Sequence, residues 1–231
     1  MPLRPSLSLA TLAALVASAS LMNPAVAADS KPNAALHALF DDAWEAEARA
    51  APEWASLRGD LRFNDKLADR SAPALAARDA MARDLLARAR KVNASTLGET
   101  DRTSLALFQH RYEQEVALQG FAGWRTLTLG TLGGAQSALA GLARNVPVNN
   151  EAQVRQWLAR LAAYPARVEQ EIAILRQGTA LGWVTARPVL SRAIAQLEGQ
   201  LPEDVSKSPV YEPFTRMVVD AAVKAGYQAQ S

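Results

Sequence analysis

The spacing of apolar residues constrains this chain more than any other feature. Between Glu99 and Gln119, Leu105, Phe108, Tyr112 and Val116 recur at intervals of three, four and four, which places them on one face of an α-helix. From Pro32 to Ala50, Leu36, Leu39, Phe40, Ala43 and Trp44 follow the same rule, and Pro52 stops it. From Ala72 to Lys91, Leu75, Met81, Leu85 and Leu86 alternate with Arg78, Arg83, Asp84 and Arg88, the pattern of an amphipathic surface helix. Ser71 is placed to cap that helix, and Pro73 is tolerated in its first turn.

The second half of the chain is punctuated more heavily. Thr126 to Leu129 alternates like a strand, but Gly130, Gly133, Gly134 and Gly141 follow, so the segment from Trp124 to Leu142 reads as an extended entry into one short, Ala-rich helix. Asn149 or Asn150 caps a helix carrying Val154, Trp157, Leu158 and Leu161. Pro165 starts or kinks another, with Val168, Ile172 and Leu175 on one face, ending near Gly178 or Gly182. Pro188 opens a further helix through Gln200, and Glu212 to Gly226 forms the last. No segment sustains a period of two, so the expected class is all-α, a bundle of about seven to eight helices. The apolar residues Met217, Val218, Val219 and Val223 give the last helix a face prepared to pack on something further along, and the chain reads as unfinished at Ser231.

Residues 1–28 have the three-part form of a secretory signal: Arg4, an apolar run from Leu7 to Met22, and small residues at Ala25 to Ala28. The run is too short and too interrupted for a permanent span, so the expectation is an exported, periplasmic product with no membrane attachment after cleavage, comprising residues 29–231. There is no cysteine, which removes disulfides, thiolate metal sites and a lipid anchor at the cleavage point. With 25 basic and 23 acidic residues the precursor carries +2, and loss of Arg4 leaves 24 against 23, or +1. Bases and acids are interleaved throughout, which argues against a nucleic-acid partner.

The stretch from Pro52 to Ser71 stands apart. It is too rich in charge and turn residues to read as core, yet it joins two strongly helical segments, so something other than burial is expected to fix its composition. Its Pro52-Glu53 start, Arg58-Gly59-Asp60 and Leu67-Ala68-Asp69-Arg70-Ser71 occur in order with Glu99-Thr100-Asp101-Arg102, Arg160-Leu161-Ala162-Ala163-Tyr164-Pro165, Gly178 with Gly182, and Arg187-Pro188-Val189. With these pieces the chain, from about Leu36 onward, resembles the N-terminal part of the bacterial family known as domain of unknown function 885. Members of that family are often exported and resemble zinc metallopeptidases. The resemblance implies an incomplete part of a larger α-helical metallopeptidase-like fold, walling a substrate cleft, with Arg58, Gly59, Asp60, Arg62 and Asp69 bracing helices at the cleft. The family's His-Glu-x-x-Pro-Gly-His type helix is absent from this chain, so zinc is implied only for a full-length member.

Independent chemistry finds little support in the residues. A zinc hydrolase needs three or four convergent ligands and a carboxylate base, and this chain has two histidines, His37 and His110. His110 and Glu113 lie one turn apart and are weak metal candidates, a pairing that amphipathic helices produce by chance. Two acidic clusters, Asp41-Asp42-Glu45 and Asp60-Asn64-Asp65-Asp69, read as turn and capping residues partly paired with arginine. The glycines from Gly130 to Gly141 lack the ending of a phosphate loop, and no serine triad can be assembled. Trp44 and Trp157 sit on apolar stripes and are expected in the core. The expected function is that of a cleft-wall region without catalysis of its own and with no cofactor in this chain. Its partner is a missing C-terminal catalytic part or a separate chain. The alternative is a stand-alone periplasmic module for a peptide or protein ligand.

Overall fold

A computed structural model describes residues 31–121 and 123–229, and every regular element among them is helical. The signal-like segment 1–28 lies outside the described residues. The helices are α1 (Ala34–Ala50), α2 (Pro52–Leu57), α3 (Ala72–Arg90), α4 (Glu99–Leu118), α5 (Ala135–Asn145), α6 (Glu151–Leu181), α7 (Arg187–Glu198), α8 (Glu212–Arg216) and α9 (Ala221–Gln228). Several begin where a short polar side chain meets the first free amides. Asn33 accepts from Leu36 N at 3.0 Å, Ser71 from Ala74 N at 3.4 Å and Asn150 from Gln153 N at 3.0 Å.

Helices α1, α3 and α4 bury one apolar cluster. Leu36 and Leu39 from α1 meet Leu85, Leu86 and Ala89 from α3 and Leu105 and Tyr112 from α4, with Leu97 closing one end. The alanines Ala43, Ala82 and Ala89 let the helices approach closely while longer side chains fill the remaining space. Phe108 stacks obliquely between Phe40, at 5.0 Å, and Tyr112, at 4.7 Å. A second cluster gathers Leu142 and Ala143 of α5, Val154 and Trp157 of α6, Phe214 of α8, and Val146, Val148 and Met217 from the connecting segments.

Two elements depart from the sequence reading. Helix α6 runs unbroken for 31 residues with Pro165 inside it, where the proline was expected to start or kink a new helix. Proline removes one backbone donor, but the turns on both sides are fixed by packing: Trp157 and Arg160 before it and Ile174 after it are buried. The expected helix from Glu212 to Gly226 is divided into α8 and α9. At the break Met217 turns inward, Val218 N donates to Val148 O at 3.0 Å, and Arg216 donates to the carbonyls of Ala143 and Val146 at 2.8 and 2.6 Å. The bond to Val148 replaces the intrahelical one that the Val218 amide would have made, and the Arg216 side chain ties the end of α8 to the end of α5.

A glycine fixes how α6 meets the segment after α4. A Cβ on Gly178 would lie 2.6 Å from Thr126 Oγ1 and 2.8 Å from Trp183 O, so any side chain there would force the short helical turn Trp124–Thr126 away from α6.

Candidate functional site

The Pro52 to Ser71 loop is fastened at both sides by side chains whose chemistry suits carbonyls and carboxylates. Toward α1, Asp60 accepts from the Arg62 backbone at 3.2 Å, from its guanidinium at 2.9 and 2.7 Å, and from Trp44 Nε1 at 3.2 Å. Arg62 also reaches Glu45 on α1 at 2.6 Å. The Arg62 guanidinium holds the Asp60 carboxyl down at about 2, and Arg62 is in turn pushed up by Asp60 and Glu45. Gly59, with φ of +88°, makes the turn that brings Asp60 back toward α1, and the Arg58 guanidinium lies 4.0 Å from the centre of the Trp54 ring.

Toward α6 the fastening is buried. Arg160 is fully enclosed and donates to Lys66 O at 2.9 Å, Asn64 Oδ1 at 3.1 Å and Ser56 Oγ at 2.7 Å, with Pro52 O and Phe63 O at 3.4 Å. Asn64, also fully buried, donates to Gln156 Oε1 at 3.1 Å. Burial pushes the Arg160 guanidinium down, with Glu53 and Asp65 opposing through space. The group stays charged, since arginine is not deprotonated in proteins. Three of its five acceptors are backbone carbonyls, so Arg160 recognises the path of the loop more than its side chains. Further along, Gln170 accepts from Arg70 N at 2.8 Å and donates to Asp69 at 2.9 Å, while Asp69 also accepts from Ser71 N at 2.8 Å. The loop was expected to lie outside the core, and this needs correction: Pro52, Ala55, Asn64 and Ala68 are buried, and a polar network accounts for its composition.

Beside this loop lie two adjoining cavities. One, of about 620 Å3, carries the arginines Arg70, Arg78, Arg111, Arg125 and Arg167 with the acids Glu47, Asp79, Glu115 and Glu171. The other, of about 510 Å3, is walled mainly by leucines and by Val168 and Ile172. Ala135, Ala138, Arg167 and Glu171 belong to both. Most of the charges pair: Arg111 with Glu47 at 2.6 Å, Arg167 with Glu171 at 2.5 Å, Arg70 with Glu171 at 3.0 Å, and Arg125 with Asp79. Arg78 donates to Ala50 O at 2.6 Å and has no ion pair among the described residues. Burial pushes the Arg78 and Arg70 guanidinium groups down, and Arg167 adds repulsion to both.

Arg58, Gly59, Asp60, Arg62 and Asp69 line neither cavity. Asp60 and Arg62 tie the loop to α1, and Asp69 ties it to α6. Arg160 was visible only as a letter in a matched piece; the signal that could have found it is its place one turn from Trp157 and one turn from Tyr164, on a stripe that is otherwise apolar. Trp157 is core as expected, whereas Trp44 is half-buried and serves Asp60. The acids read as turn and capping residues behave so at Asp60 and Asp69, and Asp42 pairs with Arg88. His110 is exposed, Glu113 is held by Arg90 at 2.8 Å, and His37 bonds Asp101 at 3.0 Å. No group of three or more metal-capable side chains forms among the described residues, so these residues do not fit a zinc ion. No described helix is long and apolar enough to cross a membrane.

Helices packed beside a charged cavity and an adjoining apolar one define an all-α protein. The model of a family described as bacterial protein of unknown function, DUF885, matches residues 52–231, and the chain belongs to that family. The match begins at Pro52, not near Leu36, so it takes in the loop and its Arg160 clamp and leaves out α1. No curated protein gives a significant match.

Proposed function

We propose that this chain is an exported, periplasmic, helical cleft-wall region of a metallopeptidase-like hydrolase, without catalytic activity of its own. The observation that carries the reading is the pair of adjoining cavities. They offer guanidinium groups for anionic parts of a ligand and an apolar wall for its side chains, and their lining includes no histidine. Such a space can hold and orient a peptide; the reacting groups would come from a catalytic part bearing the zinc motif.

The purified chain is expected to leave peptide and ester substrates intact. Hydrolysis that survives removal of contaminating hydrolases would overturn the proposal. Sequencing the source locus past the codon for Ser231 is the companion experiment, and a His-Glu-x-x-Pro-Gly-His type segment there is the expected result. A stand-alone peptide-binding module is the second reading, favoured by the unpaired Arg78 in the charged cavity. A locus without the zinc segment, together with peptide binding by the chain alone, would select it.

A further inference from the structure

Two turns that carry exposed apolar side chains meet at the C-terminal end of α6. The first follows α4 and holds Phe121, Trp124 and Leu127; the second joins α6 to α7 and holds Leu181, Trp183 and Val184. A Cβ on Gly123 would lie 2.0 Å from the Trp183 ring, so the indole rests on the backbone of the first turn, and Gly178 brings Thr126 against α6 in the same place. Gly182, with φ of +74°, ends α6, and the four residues from Leu181 to Val184 are all exposed. Val184 is 62% and Phe121 58% exposed, and neither these two nor Leu181 and Trp183 line either cavity. The apolar side chains therefore protrude from turns instead of walling a groove.

The free charge around these turns is of one sign. No Asp or Glu occurs in residues 116–150 or 172–197, whereas Arg176 and Arg187 are exposed and make no ion pair among the described residues. Arg176 precedes Leu181 on α6 by about 7.5 Å along the axis, and Arg187 opens α7 just after Val184. Of the acids on neighbouring helices, Asp79 and Glu115 line the charged cavity, and Asp79 is taken by Arg125. What covers this surface must be apolar at the turns and anionic around them. A protein partner ordinarily takes anchoring side chains into a pocket or lays a helix in a groove, and neither shape is present here. Tryptophan, phenylalanine and leucine on protruding turns, flanked by arginine, instead have the chemistry of groups that enter the headgroup layer of a bilayer. We propose that this end of the molecule rests on an anionic lipid surface. Phe121, Trp183 and Val184 enter between headgroups, and Arg176 and Arg187 meet their phosphates. Such a contact needs no transmembrane helix. It departs from the expectation of a product free of the membrane, and it stands apart from the peptide-handling reading above.

Because the chain has no cysteine, Val184→Cys supplies a single position for a polarity-sensitive dye. Glu99→Cys, at the far end of α4 and about 28 Å from Leu118, supplies the control position. Each labelled full-length chain is mixed with vesicles of phosphatidylcholine alone, with vesicles containing about 30% phosphatidylglycerol, and with soluble polyglutamate. On the anionic vesicles the emission of the Val184 dye is expected to move to the blue while that of the Glu99 dye stays. Attachment through the apolar run from Leu7 to Met22 alone would move neither dye, so it does not imitate this result. Arg176→Gln and Arg187→Gln should each raise the anionic lipid needed for half of the shift about fivefold, and salt raised from about 0.1 M to about 0.5 M should act in the same direction. Helical circular dichroism identifies a labelled chain that fails to fold, in which case Phe121→Cys carries the dye. An unmoved Val184 dye, an equal shift on phosphatidylcholine alone, or an equal shift of the Glu99 dye would each overturn the assignment. A shift with polyglutamate but not with vesicles would give the surface to an acidic protein, and a shift that grows with chain concentration in the absence of vesicles would give it to a second copy; either result also overturns it.

Discussion

The bundle of α1, α3 and α4 and the junction of the loop with α6 are both buried, but different forces hold them. In the bundle, Leu36, Leu85 and Leu105 are removed from water by each other, and the contribution of each scales with the apolar area it hides. At the junction the buried centre is a guanidinium, Arg160, and its partners are carbonyls, an amide and a hydroxyl. Apolar packing tolerates small changes of shape. A charge without water tolerates a lost partner poorly, because acceptors such as Asn64 Oδ1 and Pro52 O would be left behind buried. The loop is therefore the more exacting of the two regions, although its composition looks like that of an ordinary surface connection.

The widest gap between the regions should appear on removing their central side chains. Arg160→Ala is expected to cost about 3–5 kcal/mol, since it strands several buried acceptors at once, measured by urea unfolding followed through helical circular dichroism. Arg160→Lys should recover only part of this, because one ammonium cannot span the same fan of acceptors. Leu105→Ala in the bundle should cost about 3 kcal/mol by the same measurement. The two losses should add, as the sites share no partner; strong non-additivity would show that the regions are not independent. Gly178→Ala should cost about 1–3 kcal/mol, read from the same unfolding curves, through the contact with Thr126 and Trp183. Asn150→Ala, which removes only the cap of α6, should cost about 1 kcal/mol.

The smallest effect is a pH dependence on the α1 side of the loop. Asp60 is held at about 2 against 3.8 for the free side chain, so its folded value is depressed. Its stabilisation is present above the unfolded value and is lost as pH falls from about 4 toward about 2. Asp60→Asn should flatten the acid limb of the stability curve in that window. An unchanged acid limb would mean that the Asp60–Arg62 contact does not fasten the loop.

Helices α1, α3 and α4 were legible in the sequence because each lies with one stripe inward and the other faces in water, so Leu105, Phe108, Tyr112 and Val116 announce themselves by spacing. Helix α6 was legible in two pieces, because the local effect of Pro165 is readable and the burial of Trp157, Arg160 and Ile174 around it is not. The break at Met217 was hidden for a similar reason: its cause is a hydrogen bond to Val148, distant in the chain. The resemblance singled out Arg58, Gly59, Asp60, Arg62 and Asp69 at a cleft; in the structure none of them lines either cavity, and Asp60, Arg62 and Asp69 bond side chains of α1 and α6 instead. Arg160, Arg78 and Glu171 were passed over because charged residues on amphipathic helices read as solvated unless their partners are known.

Arg160, Arg167, Glu171 and Gly178 follow one another along α6 at steps of seven, four and seven, so a single seam of that helix faces the loop, then both cavities, then Thr126 and Trp183. At about 1.5 Å of rise per residue the seam is a rigid ruler that fixes the distance between loop and cavity. Occupancy of the cavities should then be readable on the loop that borders them, as slower amide hydrogen exchange at Ala68 and Arg70, whose backbone N–H groups are held by Glu53 and Gln170.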